Sequence, residues 1–253
     1  MRAARRLKVV FFDAGQTLIE VRSSVGAVYA EAAGELGLEA DPGELDLRFR
    51  AAWERSVARI AERGHRSSDE LLRAEWRRIV SETFPDGVDP EKLERIFERV
   101  YERFSSAEAW RIVPGARETL EALGRLGLEA GVLSNWDGRL PGLLEELGLL
   151  ERFDHVVVSY AVGFEKPHPA MFEEALRRSG ARPEETLHVG DSWDMDVEPA
   201  LRAGMGAVWL SRGEASRDPR VPALDRFPDR PDDFWADLAG ARQKKARKKR
   251  RAG

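Results

Sequence analysis

Residues 7–20 read LKVVFFDAGQTLIE, and the change of character at Asp13 decides the fold. Leu7 to Phe12 is apolar but for Lys8, rich in β-branched and aromatic side chains, and does not alternate with polar residues. That is the pattern of a strand covered on both faces in a parallel sheet. The unbroken apolar run, Val9–Phe12, is too short for a membrane span or the core of a secretion signal. A carboxylate just past such a strand stands where open α/β sheets bind their ligands. Alone, it is more often a turn or helix-capping acid.

The rest of the chain supports the strand. From Pro114-Gly115 onward the pattern alternates: a helix over 115–126, strand 129–134 (EAGVLS), helix 139–147, strand 155–159 (HVVVS), helix 168–179, strand 186–190 (TLHVG), helix 196–203 and strand 206–210. Alternating strands and helices imply right-handed crossovers in a parallel sheet. Together with residues 7–12 they predict an α/β fold, a doubly wound Rossmann-like parallel sheet of about five strands. Residues 211–231 read as a surface segment, and a short helix follows near 232–239. Between about 22 and 104 the apolar spacing is helical instead. Four helices are predicted there, with Val25, Val28, Tyr29, Ala32 and Leu36 facing inward on the first, Leu45, Phe49, Ala52, Trp53, Ser56 and Ile60 on the second, Leu72, Trp76, Ile79 and Val80 on the third, and Leu93, Ile96, Phe97, Val100, Tyr101 and Phe104 on the fourth. Asp41-Pro42-Gly43-Glu44 starts the second with a capping acid, a first-turn proline and a capping-box glutamate, and Asp89-Pro90 starts the fourth. The domain expectation is an α/β core from residues 1–20 and 108–241, an inserted helical bundle over 21–107, and a basic tail over 242–253.

Composition narrows the chemistry. The 253 residues are 42% hydrophobic and 34% charged, enough apolar material for one or two packed cores. There is no cysteine, which excludes disulfides, thiolate nucleophiles and cysteine-ligated zinc, and His65, His155, His168 and His188 show no ligand spacing. The expected setting is soluble and cytoplasmic, with no membrane partner. The net charge of −4 conceals an asymmetry: residues 242–253 hold eight Lys and Arg, while residues 1–241 carry 33 basic against 45 acidic side chains. The tail reads as a solvated, disordered terminus, with weak polyanion contact as its sharper reading and no other nucleic-acid partner expected.

Four strand ends carry polar side chains that would converge: Asp13 after the first strand, Ser134-Asn135 at the second, Lys166 in the loop after the third, and Asp191 after the fourth. Two carboxylates, a hydroxyl and an ammonium suit a hydrated Mg²⁺ bridging to a phosphate oxygen. These stretches, FFDAGQTLIE, VLSN, the lysine of GFEKPHPAMF and HVGDSWDMDVEPALRAGM, resemble the four motifs of the haloacid dehalogenase (HAD) superfamily. The resemblance spans about residues 7–210, and the helical insertion is similar to that family's α-helical cap. It implies Asp13 as nucleophile forming an aspartyl-phosphate, Lys166 as charge-neutralising catalytic group, and Ser134, Asn135, Lys166 and Thr17 around the phosphate. It further implies Mg²⁺ on Asp13, the Gly15 carbonyl and Asp191, with Asp196 supporting the metal site. Asp194 reads as a first-turn helix residue, and Trp136 and Trp193 as site-mouth or core residues.

Two positions depart from that pattern. The family's phosphatases carry a second aspartate, the general acid and base, where this chain has Gly15; its loss leaves slow turnover of poor leaving groups. Gln16 stands where the family usually has glycine. The expected function is therefore a weak Mg²⁺-dependent phosphatase acting on a small phosphate ester or other small substrate. The alternatives are a non-catalytic phospholigand- or partner-binding protein and a metal-free 2-haloacid dehalogenase, against which Asp191 argues. Arg48, Arg50 and Arg55 are candidate substrate contacts from the helical insertion.

Overall fold

The computed structural model describes residues 7–240; the basic tail over 242–253 lies outside the described residues. A six-stranded parallel sheet is built from β1 (Val9–Phe12), β4 (Glu129–Ser134), β5 (His155–Val158), β6 (Thr186–Gly190), β7 (Gly206–Leu210) and the two-residue β8 (Ala223–Leu224). Their order is β5-β4-β1-β6-β7-β8, with every pairing parallel. The absence of alternation in β1 now has its cause. Val10 and Phe12 face one apolar layer with α5 (Ala116–Leu126), α6 (Leu140–Glu146) and α10 (Pro231–Leu238). Val9 and Phe11 face a second layer containing Met171 and Phe172 of α8 (Pro169–Ser179) and Ala200 of α9 (Glu198–Arg202). Both faces of a central strand are thus apolar by necessity.

Four helices, α1 (Val25–Gly34), α2 (Pro42–Glu62), α3 (Asp69–Thr83) and α4 (Pro90–Arg103), form a separate layer around Tyr29, Leu45, Val80, Phe84, Ile96, Phe97 and Val100. Two starts follow the sequence signals, Asp41 accepting from the Glu44 N–H and Asp89 from Glu91 and Lys92, with Pro42 and Pro90 in first turns, and α3 starts on Ser68, which accepts from the Leu71 N–H. Trp53 departs from the expected inward face and is 43% exposed. Adjacent helix positions can share a core, as Ile96 and Phe97 do, but Trp53 follows the fully buried Ala52 at the margin of the inward face of α2. Its ring lies instead against Phe49 and Trp76 at the layer's edge.

Three elements escape a reading by periodicity. The antiparallel ribbon of β2 (Ile19–Val21) and β3 (Trp110–Ile112) flanks the helical layer at both chain crossings. The short α7 (Ser159–Val162) follows β5, and β8 adds the sixth strand from the segment expected to be irregular. The helical layer also touches the sheet's carboxyl edge directly. Ser67 N–H donates to Gly163 O at 2.9 Å, Glu165 N–H to His65 O at 2.8 Å, and Tyr101 Oη to Asp137 at 3.1 Å. Arg63 at the end of α2 pairs with Glu165 at 3.0 Å and with Glu75 at 3.1 Å. Among the described residues, no helix is long and apolar enough to cross a membrane.

Two stability outcomes follow from this packing. A Cβ on Gly26 would stand 2.0 Å from the Pro42 carbonyl where α1 crosses the start of α2, so Gly26→Ala should destabilise by about 1–3 kcal/mol in denaturant unfolding. Glu165 behaves differently: burial raises its carboxyl to about 6 despite the opposing charge of Arg63. The folded protein therefore holds this proton over a window, from about 6 down to the ordinary glutamate value, in which the unfolded chain has lost it. Stability should fall as pH rises through that window. Glu165→Gln keeps an acceptor for Arg63 without the buried charge, so its melting temperature should exceed that of wild type at pH 7.5 and match it at pH 4. A variant less stable than wild type at pH 7.5 would show that the ion pair outweighs the burial.

Candidate active site

The polar side chains at the strand ends meet in one buried cluster. Asp13 Oδ1 accepts hydrogen bonds from Lys166 Nζ at 2.7 Å and from Ser134 Oγ at 3.0 Å. Lys166 Nζ also donates to Asp196 Oδ1 at 2.5 Å, so one ammonium spans two carboxylates. Its side chain is 3% exposed, and that of Asp196 2%. Burial opposes the lysine's charge, but Asp13 and Asp196 outweigh it and hold Lys166 above the usual lysine range. Burial likewise opposes ionised Asp196, yet Lys166 and the His188 contact hold its carboxyl below the usual range.

Sequence places each partner by a local device. Asn135, at the end of β4, accepts the Lys166 backbone N–H at 2.6 Å and donates to the Lys166 carbonyl at 2.9 Å. It thus clamps the lysine's backbone. Asp196 is carried by a single π-helical turn, Trp193–Val197, after Ser192. The end of β6 leaves room for it through Gly190, where a Cβ would come within 2.2 Å of the Asp196 carboxyl carbon. Thr17 Oγ donates to Asp191 at 3.3 Å, tying the first loop to the fourth.

The remaining charge falls on Asp191. Burial, then Asp13 and Asp196, push its carboxyl up to about 7. Asp13 is also raised, by burial first, with Lys166 pulling the other way. Asp13, Asp191 and Asp196 can each offer an oxygen within 4.8 Å of the others, and one ammonium does not balance three carboxylates. The donor set is all oxygen, which fits a hard divalent cation rather than a thiolate-loving metal. Asp196 is occupied by Lys166, His188 and the Ser192 N–H, leaving Asp13 and Asp191 as the side chains open to such an ion.

The departures noted in the sequence have structural counterparts. Gln16 takes the left-handed backbone glycine would favour, φ 59°. Its N–H donates to Ile19 O at 2.7 Å, and its carbonyl accepts from Arg212 at 2.9 Å. These contacts hold a conformation that costs a non-glycine residue roughly 1–2 kcal/mol. Beside Gly15 lies the Trp136 ring, 3.4 Å from where a Cβ would stand. Trp136 packs on Trp110 with ring centroids 5.3 Å apart, and Trp193 meets Trp209 edge-on at 5.2 Å. Asp194 stays outside the cluster, exposed and 3.4 Å from Arg217. Arg48 pairs with Glu44 and Arg55 with Glu82, both within the helical layer, and Arg50 is exposed. His188 and Ser192, both bonded to Asp196, were missed. The available signal was a histidine inside an otherwise apolar buried strand.

Comparison with known proteins agrees with this geometry. The sequence model of the haloacid dehalogenase-like hydrolases matches residues 7–204. The chain is 33% identical over 230 residues to haloacid dehalogenase-like hydrolase domain-containing protein 3 of Danio rerio, covering 87% of this chain and 95% of that one. It is also 33% identical over 236 residues to glyceraldehyde 3-phosphate phosphatase of Methanopyrus kandleri, covering 87% and 92%. The crystal structure of a HAD phosphatase from Thermococcus onnurineus superposes with a TM-score of 0.57 at 26% identity, covering 87% and 94%. With the parallel sheet, the strand-end cluster and these matches in agreement, the chain belongs to the haloacid dehalogenase-like hydrolases.

Proposed function

We propose that the protein hydrolyses a small phosphate monoester through an aspartyl-phosphate on Asp13, with Mg²⁺ held by Asp13, Asp191 and the Gly15 carbonyl. The observation that carries this reading is the buried Lys166 ammonium bridging Asp13 and Asp196 beside a third carboxylate, Asp191. Asp13 attacks phosphorus, a new carboxyl O–P bond forms, and the ester O–P bond breaks with its electron pair on the leaving oxygen. Lys166 offsets the charge gathered between nucleophile and phosphoryl group. Ser134 Oγ, now turned to Asp13, is placed to donate to a phosphoryl oxygen, and Asn135 keeps the Lys166 backbone fixed. The cation, when bound, supplies charge neutralisation and orients a phosphoryl oxygen. Water then cleaves the acyl phosphate and restores Asp13.

Gly15 provides no proton for the leaving oxygen, and Trp136 presents an aromatic wall beside it. The reading therefore favours esters whose leaving group departs unprotonated. The four helices of residues 25–103 act as the cap that closes over the substrate and excludes water. The phosphatase name of the Methanopyrus kandleri relative supports a phosphate ester over a haloacid, as does Asp191 in the carboxylate cluster.

Turnover of p-nitrophenyl phosphate and of an alkyl phosphate, each with Mg²⁺ and with EDTA, tests the proposal. Aryl turnover should need Mg²⁺, exceed alkyl turnover by about 10²-fold or more, and vanish in Asp13→Asn. Persistence in EDTA or in Asp13→Asn would overturn it. Chloride release from a 2-haloacid in EDTA would point to dehalogenation, and phosphate binding without turnover to a non-catalytic role.

A further inference from the structure

His188 is a titratable group in the middle of β6, and the mechanism above leaves it unused. Its neighbours along the strand, Leu187 and Val189, are apolar, and its side chain is 0% exposed. The ring meets the edge of Phe172 from α8, with centroids 5.8 Å apart and planes at 88°. Nε2 lies 3.0 Å from Asp196 Oδ1, while Nδ1 is buried with no hydrogen-bond partner. A leucine or valine would fill the same apolar space without an unpartnered nitrogen and its desolvation cost. The one polar contact that the imidazole makes is therefore the reason to examine: it ends on the carboxylate that holds Lys166.

We propose that His188 is a positioning residue of the active site, donating its Nε2–H to Asp196 so that this carboxylate presents a fixed oxygen to Lys166. The ring's geometry selects the donor atom, because an unprotonated Nε2 would set a lone pair against the carboxylate. Asp196 is then held from three directions: Lys166 and His188 at Oδ1, and the Ser192 N–H at Oδ2, 3.1 Å away. With two of those three donors supplied by the sheet and the π-helical turn, the carboxylate cannot rotate about its own axis. Lys166 Nζ is consequently aimed at Asp13 rather than left to follow a mobile partner. Without His188, Oδ1 of Asp196 is held by the lysine alone, and the pair can swing together away from the nucleophile. The catalytic part of this inference rests on the reading of Asp13 as nucleophile; the hydrogen bond does not.

The test compares His188→Leu, which removes the donor, with His188→Gln, whose amide can donate at a similar reach. On p-nitrophenyl phosphate with Mg²⁺, His188→Leu should lower kcat by about 10- to 100-fold with KM little changed, as loss of a supporting hydrogen bond does. His188→Gln should recover most of that loss, with thermal melting run on both to exclude unfolding. Equal kcat in all three proteins, or losses in Leu and Gln alike that track the melting temperature, would reduce His188 to a packing residue and overturn the proposal. Long-range ¹H–¹⁵N correlation spectra of the wild-type protein need no substrate. They should show His188 protonated at Nε2, with that signal shifted by Lys166→Met. A ring protonated only at Nδ1, or one blind to Lys166→Met, also overturns it. If wild type turns over no ester, the phosphatase reading falls, and the spectra alone decide His188.

Discussion

Lys166 Nζ lies 2.7 Å from Asp13 and 2.5 Å from Asp196, in a place water hardly reaches. Charges buried this deeply are tolerable only as a complete set, because removing one member strands the others without solvent. The requirement extends outward. Asn135 must grip the lysine's backbone, Gly190 must stay without a side chain, and the turn after β6 must adopt a π-helical form for Asp196 to arrive at all. The sheet supplies fixed points for each of these, since β1, β4 and β6 are adjacent and place Asp13, Ser134 and Asp191 at neighbouring strand ends. The lysine enters from the loop after β5 and α7, one strand further out. The order of the strands is thus what allows distant segments of sequence to share one ammonium.

Much of this was legible beforehand, for identifiable reasons. Buried parallel strands announce themselves as short apolar runs, and helices with proline and acidic caps fix their own starts, so β1, β4, β6, β7 and the starts of α2 and α4 are legible nearly to the residue. Asp13, Ser134, Lys166 and Asp191 were legible because strand ends are where such sheets collect polar groups. The β2–β3 ribbon was hidden, since three-residue strands are too short to show a period. β8 was hidden because two residues pair with β7 on tertiary grounds alone. Trp53 lies at the margin of the α2 face, where apolar spacing alone does not separate a buried position from an edge one. His188 is not legible from histidine spacing, because its partner, Asp196, lies eight residues on and meets it only through the turn.

The helical layer and the sheet are coupled at the residue next to the ammonium. Glu165 pairs with Arg63 of α2 while Lys166 pairs with Asp13 and Asp196. One peptide bond therefore separates a contact between the helical layer and the sheet from the contact that holds Asp13. The antiparallel ribbon at the two chain crossings and the contact of Tyr101 with Asp137 attach the layer to the sheet at further points.

The C-terminal segment gives the strand that ends at Asp13 its floor. Phe12, the residue before Asp13, has the Phe227 ring at 6.3 Å and the Trp235 ring at 6.2 Å, and Trp235 is fully buried. Gly115, at the start of α5, sits so close to Phe227 that a Cβ there would be 2.7 Å away. The match to the family's sequence model ends at residue 204, before Phe227 and Trp235. The minimal folding unit of this protein is consequently longer than its recognisable signature. A fragment cut at the signature's end would keep every polar group of the cluster and lose the aromatic underside of the strand that presents Asp13.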